Sequence, residues 1–250
     1  MAVIGGGPAG LMAAEVLAGA GPAVSVQVYD AMPTVGRRFL LAGIGGLNLT
    51  HSEAPQAFVG RYGERAAQLQ PLLAAFGAAE LRAWAEDLGV ETFIGSSGRV
   101  FPKDMKAAPL LRAWLQRLRQ AGVRFSMRHR WLGWAEDGAL RFTTPAGEVQ
   151  VEADAVVLAL GGGSWARLGS DGAWVPLLAA RGVAIASLRP SNCGFDVAAQ
   201  PDSPAQLQEA AADPGETRRE FLQELIGKNP QLQDRKSTRL NSSHTATSRM

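Results

Sequence analysis

Three glycines, Gly5-x-Gly7-x-x-Gly10, stand between a short apolar run, Ala2-Val3-Ile4, and an Ala/Leu-rich run from Leu11 to Ala20. An acidic residue, Asp30, closes the next apolar run, Ala23–Tyr29. This spacing suits capture of a dinucleotide. Gly5 permits a tight turn, Gly7 lets the backbone approach a pyrophosphate, and Gly10 lets a helix pack closely on a strand. Asp30 at the strand end is placed to accept hydrogen bonds from ribose hydroxyls. Its alternative reading is a helix N-cap before Ala31-Met32-Pro33. The N-terminus of the helix that follows, with the N–H groups of Ala9 and Gly10 nearby, adds free donors and the positive end of a helix dipole.

Other reactive side chains are sparse. The single cysteine, Cys193, excludes an intramolecular disulfide, a Cys-x-x-Cys pair and a cysteine metal cluster. It reads as a small buried apolar residue rather than a nucleophile. His51 and His129 are the histidines ahead of residue 234, and neither has a metal-ligand partner at helical spacing. No Gly-x-Ser-x-Gly or Walker pattern is present. The hard chemistry is therefore expected from a cofactor, with the protein supplying orientation and electrostatics.

The elements that position these residues follow from periodicity. Ala2–Ile4 and Ala23–Tyr29 read as strands flanking the helix Leu11–Ala20. Ala31–Thr50 is a long glycine-rich segment. Ala66–Leu88 has helical spacing, broken near Gly77. Glu91–Ile94 and Arg99–Phe101 form a hairpin over Gly95–Gly98. Lys106–Ala121 is an amphipathic helix, with Leu110, Leu111, Trp114, Leu115 and Leu118 on one face. Val123–Met127 is a strand, and Trp131–Trp134, Leu140–Thr144 and Glu148–Ala153 form an antiparallel meander. Ala155–Leu160 is fully apolar, which places it centrally in a parallel sheet. Trp174–Ala180 is a helix leading to a strand at Val183–Ala186. The fold class is α/β: a Rossmann-like FAD-binding domain with a parallel sheet and a three-stranded antiparallel meander.

Three features favour FAD over NAD as the dinucleotide. The meander occupies the place of the three-stranded excursion of flavoproteins. Ala159-Leu160-Gly161-Gly162 is similar to the turn they use near the flavin phosphates. Gly36–Thr50 is too long and glycine-rich for a plain strand-to-helix connection. The competing readings are an NAD(P)-binding dehydrogenase without flavin and an inactive nucleotide-binding fragment.

At 250 residues and 46% hydrophobic, the chain can bury a sizeable core. No apolar run reaches the roughly 18 residues of a membrane helix, so no membrane partner is expected. Asp234–His244 reads as the translation of a sequencing-library adapter, with Ser248-Arg249-Met250 as its resumption. Setting aside Asp234, Arg235, Lys236, Arg239 and Arg249 leaves 21 basic and 22 acidic residues of the original 25 and 23. The +2 charge of the whole chain therefore carries no argument for nucleic acid, and none is expected as a partner. A reducing, cytoplasmic setting fits the cysteine usage. The expected organisation is a domain over 1–190, the start of a second domain or an unrelated extension over 191–233, and a non-native tail over 234–250. Within the extension, Gln206–Ala211 and Thr217–Ile226 read as exposed helices, and Ala198–Gln233 as a poorly anchored stretch or a genuine helical insertion.

Over about Met1–Val197 the chain resembles the BaiN-like flavoproteins, which are NAD(P)/FAD-dependent or aminoacetone-oxidase-like enzymes. The marks are Val3–Gly10, Gly36–Gly43, Gly46-Leu47-Asn48-Leu49-Thr50, Gly98-Arg99-Val100-Phe101-Pro102, Ala159–Trp165 and Gly169-Ser170-Asp171-Gly172. Gly46-Leu47 replaces the Arg-Cys of many relatives. The resemblance implies an FAD-dependent oxidoreductase acting on a small molecule, with NAD(P)H as a possible reductant. Such proteins continue with a β-rich inserted domain and a returning segment over the flavin. Neither is recognisable after Val197, so the chain reads as an N-terminal fragment.

Gly5, Gly7, Pro8, Ala9 and Gly10 then cradle the pyrophosphate, and Asp30 holds the ribose. Arg37 and Arg38 pair with phosphate oxygens or are solvated surface arginines. Asn48 and Thr50 lie by the flavin ring or cap the following segment. Trp131 offers its backbone beside the adenine or is core. Gly161 and Gly162 let the flavin approach the strand end, and His51 is a candidate for moving protons at the flavin. Deleting 234–250 is expected to leave the melting temperature unchanged in a thermal scan; a fall would mark the tail as native.

Overall fold

The computed structural model describes residues 1–42 and 45–189. Cys193, the stretch 198–233 with its expected helices, and the tail 234–250 lie outside the described residues. The elements run β1 (Ala2–Ile4), α1 (Pro8–Ala18), β2 (Gln27–Asp30), α2 (Arg37–Ala42), β3 (Thr50–His51), α3 (Pro55–Gly60), α4 (Ala66–Ala75), α5 (Ala78–Asp87), β4 (Thr92–Ile94), β5 (Arg99–Pro102), α6 (Ala107–Gln120), β6 (Arg124–Met127), β7 (Arg130–Trp134), β8 (Leu140–Thr144), β9 (Gly147–Val151), β10 (Val156–Leu158) and α7 (Trp174–Ala179).

A four-stranded parallel sheet carries the site, in the order β10-β1-β2-β6. Both faces are covered, as parallel strands require. On one face Val3, Val28 and Val123 pack with Leu11 and Ala14 of α1 and with Leu111, Trp114 and Leu118 of α6. On the other, Ala2, Ile4 and Tyr29 pack with Trp131, Leu140 and Phe142 of the meander β7-β8-β9, with α7 alongside. A second antiparallel sheet, β3-β5-β4, stands apart from these two.

The sequence pattern matches most elements, and the departures have physical reasons. The apolar run Ala155–Leu160 forms β10, which pairs with β1 at the edge of the described sheet rather than in its centre. It is apolar because Val157 faces the helical side and Val156 the meander side, not because it has two neighbours. Val183–Ala186 forms no strand: Val183 is 48% exposed and has no pairing partner among the described residues. The strand expected from Ala23 begins at Gln27, where pairing with Ala2 begins. The segment Ala31–Thr50 is not all loop, since it holds α2 and the start of β3. No helix starts at Ala31, so Asp30 is not an N-cap.

The link from β6 to β7 is two residues. Arg128 takes φ 57°, a left-handed conformation uncommon for a non-glycine residue. The turn lets the Arg128 N–H donate to the Met32 carbonyl (3.1 Å) and the His129 N–H to the Asp30 carbonyl (2.9 Å).

One carboxylate joins three helices. Glu15 of α1 accepts from the Trp114 indole N–H of α6 (2.6 Å) and the Trp84 indole N–H of α5 (3.1 Å), and pairs with Arg117 (3.1 Å). The two indoles meet edge to face at 4.7 Å. Trp114 is only 2% exposed, so its N–H has no access to water as a substitute partner. Glu15→Ala is expected to lower stability by about 1–3 kcal/mol, the cost of an unsatisfied buried donor. Glu15→Gln, which keeps an acceptor, should lose less; urea unfolding followed by tryptophan fluorescence checks both.

Candidate functional site

The glycine turn lies at the carboxyl end of β1, where open parallel sheets bind ligands. Gly5 takes φ +110°, and a Cβ there would lie 2.2 Å from the Ala159 carbonyl oxygen. A Cβ on Gly10 would lie 1.8 Å from the Gly5 carbonyl oxygen, so α1 rests directly on the turn. Gly7 differs from both. A Cβ on it would meet nothing within 4 Å, so this glycine faces open space rather than protein.

The turn is held from outside. The Gly5 N–H donates to the Tyr29 carbonyl (2.8 Å), and the Gly6 carbonyl accepts from the Gly36 N–H (2.8 Å). The Gly6 N–H donates to Asp30 Oδ2 (2.6 Å), and the Met32 N–H to Asp30 Oδ1 (2.7 Å). Burial raises the Asp30 pKa above the usual aspartate value, against the pull of these two N–H groups and of the Arg37 charge. The N–H groups of Gly7, Ala9 and Gly10 donate to no carbonyl or side chain among the described residues.

Arg37 and Arg38 open α2 beside this turn. Neither forms an ion pair among the described residues, and the buried Arg37 Nε has no hydrogen-bond partner. Arg38 reaches across to the loop after β10: a Cβ on Gly161 would lie 2.5 Å from Arg38 Nη2. Gly161 and Gly162 are tied down by their carbonyls, which accept from the Trp174 indole (3.1 Å) and the Ser170 hydroxyl (2.8 Å). Ser170 is 1% exposed.

Past Asp30 the groove continues into a second recess lined by Tyr29, Ala31, His129, Trp131, Asp171 and Trp174. Trp131 is 7% exposed and packs edge to face on Trp134 (4.8 Å). It is both core and a wall of the recess. Arg130 and Asp171 face each other at 2.9 Å across the chain segments that form the rim.

The structure brings Gly5, Gly7, Asp30, Arg37 and Arg38 to one groove and Trp131 to its extension, with Gly161 held against Arg38. Asn48 and Thr50 stand elsewhere. Asn48 is exposed, and Thr50 is buried in β3 opposite Val100. His51 is likewise outside the groove. Its Nδ1 accepts from the Glu53 N–H (3.1 Å), so its Nε2 donates to the Ser97 carbonyl (3.0 Å). It lines a separate cavity of about 700 Å³ with Glu53, Phe58, Leu73 and Ile94. That cavity is the larger, yet its carboxylate Glu53 is matched by Arg61 (2.6 Å) and its histidine by backbone. The groove, with its unpartnered donors, is the better candidate site. Sequence reasoning gave no role to Gly6, Met32, Ser170, Trp174 or His129, because their parts depend on bonds between distant segments. Among the described residues no three His, Cys, Asp or Glu side chains group to hold a metal ion, and no helix is long and apolar enough to cross a membrane.

The residues present fit a dinucleotide. The open face of Gly7, the free N–H groups at the tip of α1 and the orphaned Arg37 Nε make a cradle of donors without an acceptor, which suits a pyrophosphate. A parallel sheet entered through such a turn, an acidic strand end and an antiparallel meander on the opposite face define a Rossmann-like dinucleotide-binding domain. The chain belongs to the family described as HI0933-like protein Rossmann domain, which matches residues 1–239.

Over 201 residues the chain is 29% identical to the 3-dehydro-bile acid delta(4,6)-reductase of Clostridium scindens, covering 80% of this chain and 48% of that relative. The chain thus spans about half the length of the curated relative it matches. Among solved structures, the open conformation of a flavocytochrome c3 fumarate reductase aligns with a TM-score of 0.51 at 19% identity, over 64% of this chain and 33% of that one. The 3-ketosteroid-delta4-(5alpha)-dehydrogenase of Rhodococcus jostii RHA1 aligns with a TM-score of 0.48 at 20% identity, over 64% and 45%. At 19% identity the likeness to the fumarate reductase is one of fold.

Two glycine variants separate folding from binding. Gly10→Ala should cost about 3 kcal/mol, because backbone must move to admit the methyl group. Gly7→Ala, at an N-cap with φ −78°, should stay within about 1 kcal/mol of the parent. Urea unfolding of the two reads the difference, and equal losses would refute the assignment.

Proposed function

We propose that this chain is the FAD-binding part of an oxidoreductase that reduces a small molecule, with NAD(P)H as the reductant of the flavin. The observation that carries the reading is the donor cradle beside Asp30: open Gly7, N–H groups unpartnered among the described residues, and Arg37 and Arg38 with no ion pair among them. FAD, when bound, supplies hydride and electron transfer. The chain's own residues hold and orient it. The N–H groups of Gly7, Ala9 and Gly10 face the pyrophosphate, with Pro8 preset for the first helical turn. Gly5 and Gly10 fix the approach of α1. Arg37 and Arg38 neutralise the phosphates, and Arg38 does so from the Gly161-Gly162 side.

Asp30 accepts from the ribose while keeping its bonds to Gly6 and Met32, since a carboxylate offers about four lone-pair sites. Asn48 and Thr50 lie outside this groove and are proposed for the isoalloxazine end, which reaches beyond the pyrophosphate. Trp131 shapes the adenosine end. The reductase relative supports reduction as the direction of catalysis. A cytoplasmic location suits a chain with one cysteine in 250 residues.

Purified protein is expected to bind FAD with a flavin visible spectrum. Asp30→Ala should weaken that binding by about 1–3 kcal/mol, the scale of charged hydrogen bonds. Calorimetric titration with FAD decides. Unchanged affinity would remove Asp30 from the site, and binding of NAD(P)H without FAD would favour a flavin-free dehydrogenase.

A further inference from the structure

The recess beyond Asp30 carries a feature that the dinucleotide reading does not use. His129 lines it, with its ring 5.7 Å from Tyr29 and 6.1 Å from Phe142. Its Nδ1 lies 2.8 Å from the Met127 carbonyl oxygen. A carbonyl only accepts, so the neutral ring carries its proton on Nδ1. Nε2 is then an acceptor, and it has no partner among the described residues.

Each carboxylate oxygen of the recess already has a partner within the chain, though lone pairs remain on it. Asp30 accepts from Gly6 and Met32, one bond to each oxygen. Asp171 accepts from Arg130 on Oδ2 (2.9 Å) and from the Ala173 N–H on Oδ1 (3.0 Å). The Tyr29 hydroxyl can donate or accept, so it imposes no sense on a ligand. The indoles of Trp131 and Trp174 only donate. His129 Nε2 is therefore an acceptor of this recess, fixed in its sense by the ring's other nitrogen, with no partner among the described residues.

We infer that His129 reads the base of the bound dinucleotide, its Nε2 accepting a hydrogen bond from the 6-amino group of adenine. The inference rests on the proposed dinucleotide site and adds its base specificity. A purine with a carbonyl at that position sets lone pair against lone pair. A site built around one hydrogen bond rejects the analogue that cannot make it.

The test titrates the full chain with FAD and with flavin hypoxanthine dinucleotide, in which a carbonyl replaces the amino group, following flavin fluorescence. FAD is expected to bind about tenfold more tightly than the analogue, the factor that about 1.4 kcal/mol represents. His129→Phe keeps the aromatic packing without an acceptor. It should lower FAD affinity about tenfold and abolish the discrimination. His129→Gln, which can present a carbonyl oxygen, should restore part of it. Equal binding of the two dinucleotides by the parent overturns the inference even if no variant folds. So does discrimination that survives in His129→Phe. If neither dinucleotide binds the parent, the dinucleotide site itself is refuted and the inference falls with it, a result distinct from equal binding.

Discussion

A Cβ at Gly10 would lie 1.8 Å from the Gly5 carbonyl oxygen, so α1 sits on the end of β1 at a distance that glycine alone permits. This approach orders the rest of the groove. It puts the tip of α1, with its free N–H groups, over the carboxyl edge of the sheet. It also fixes the turn whose Gly6 N–H meets Asp30 and whose Gly6 carbonyl meets Gly36. Through Gly36 the same turn sets where α2 begins, and hence where Arg37 and Arg38 stand.

The sheet then works as a partition. Its helical face is stiffened by the Glu15 junction between α1, α5 and α6. Its other face bears the meander and α7, which wall the recess past Asp30. Asp30 stands at the boundary of groove and recess and lines both. The loop after β10 closes the arrangement from the far side, with Ser170 and Trp174 holding the carbonyls of Gly162 and Gly161.

What was legible in the sequence was local. Gly5 and Gly10 meet within one turn of each other, and Asp30 ends the next strand, so their spacing announces the turn. The amphipathic face of α6 and the alternation of the meander are equally local. The sheet position of β10 was not legible. An apolar run shows that both faces are covered, but not how many strands flank it. The six-residue α2 was masked by the glycines around it, because short helices rest on tertiary support rather than propensity. The position of Thr50 was set by pairing with Val100, a contact between segments far apart in sequence that no local pattern announces. The acceptor on His129 was beyond reach too, since it depends on a single bond from its ring to the Met127 carbonyl.

The left-handed turn at Arg128 has a thermodynamic consequence. The Arg128 and His129 amides donate to the carbonyls of Met32 and Asp30, so the start of the meander hangs on the same three-residue stretch that edges the groove. Folding of the meander and occupancy of the groove are thereby linked equilibria. Whatever binds the ordered Asp30–Met32 stretch adds to the stability of β7-β8-β9, and by reciprocity a better-packed meander tightens binding. Substitutions in the Trp131–Phe142 core thus act on affinity from a distance, through free energy shared between the two processes.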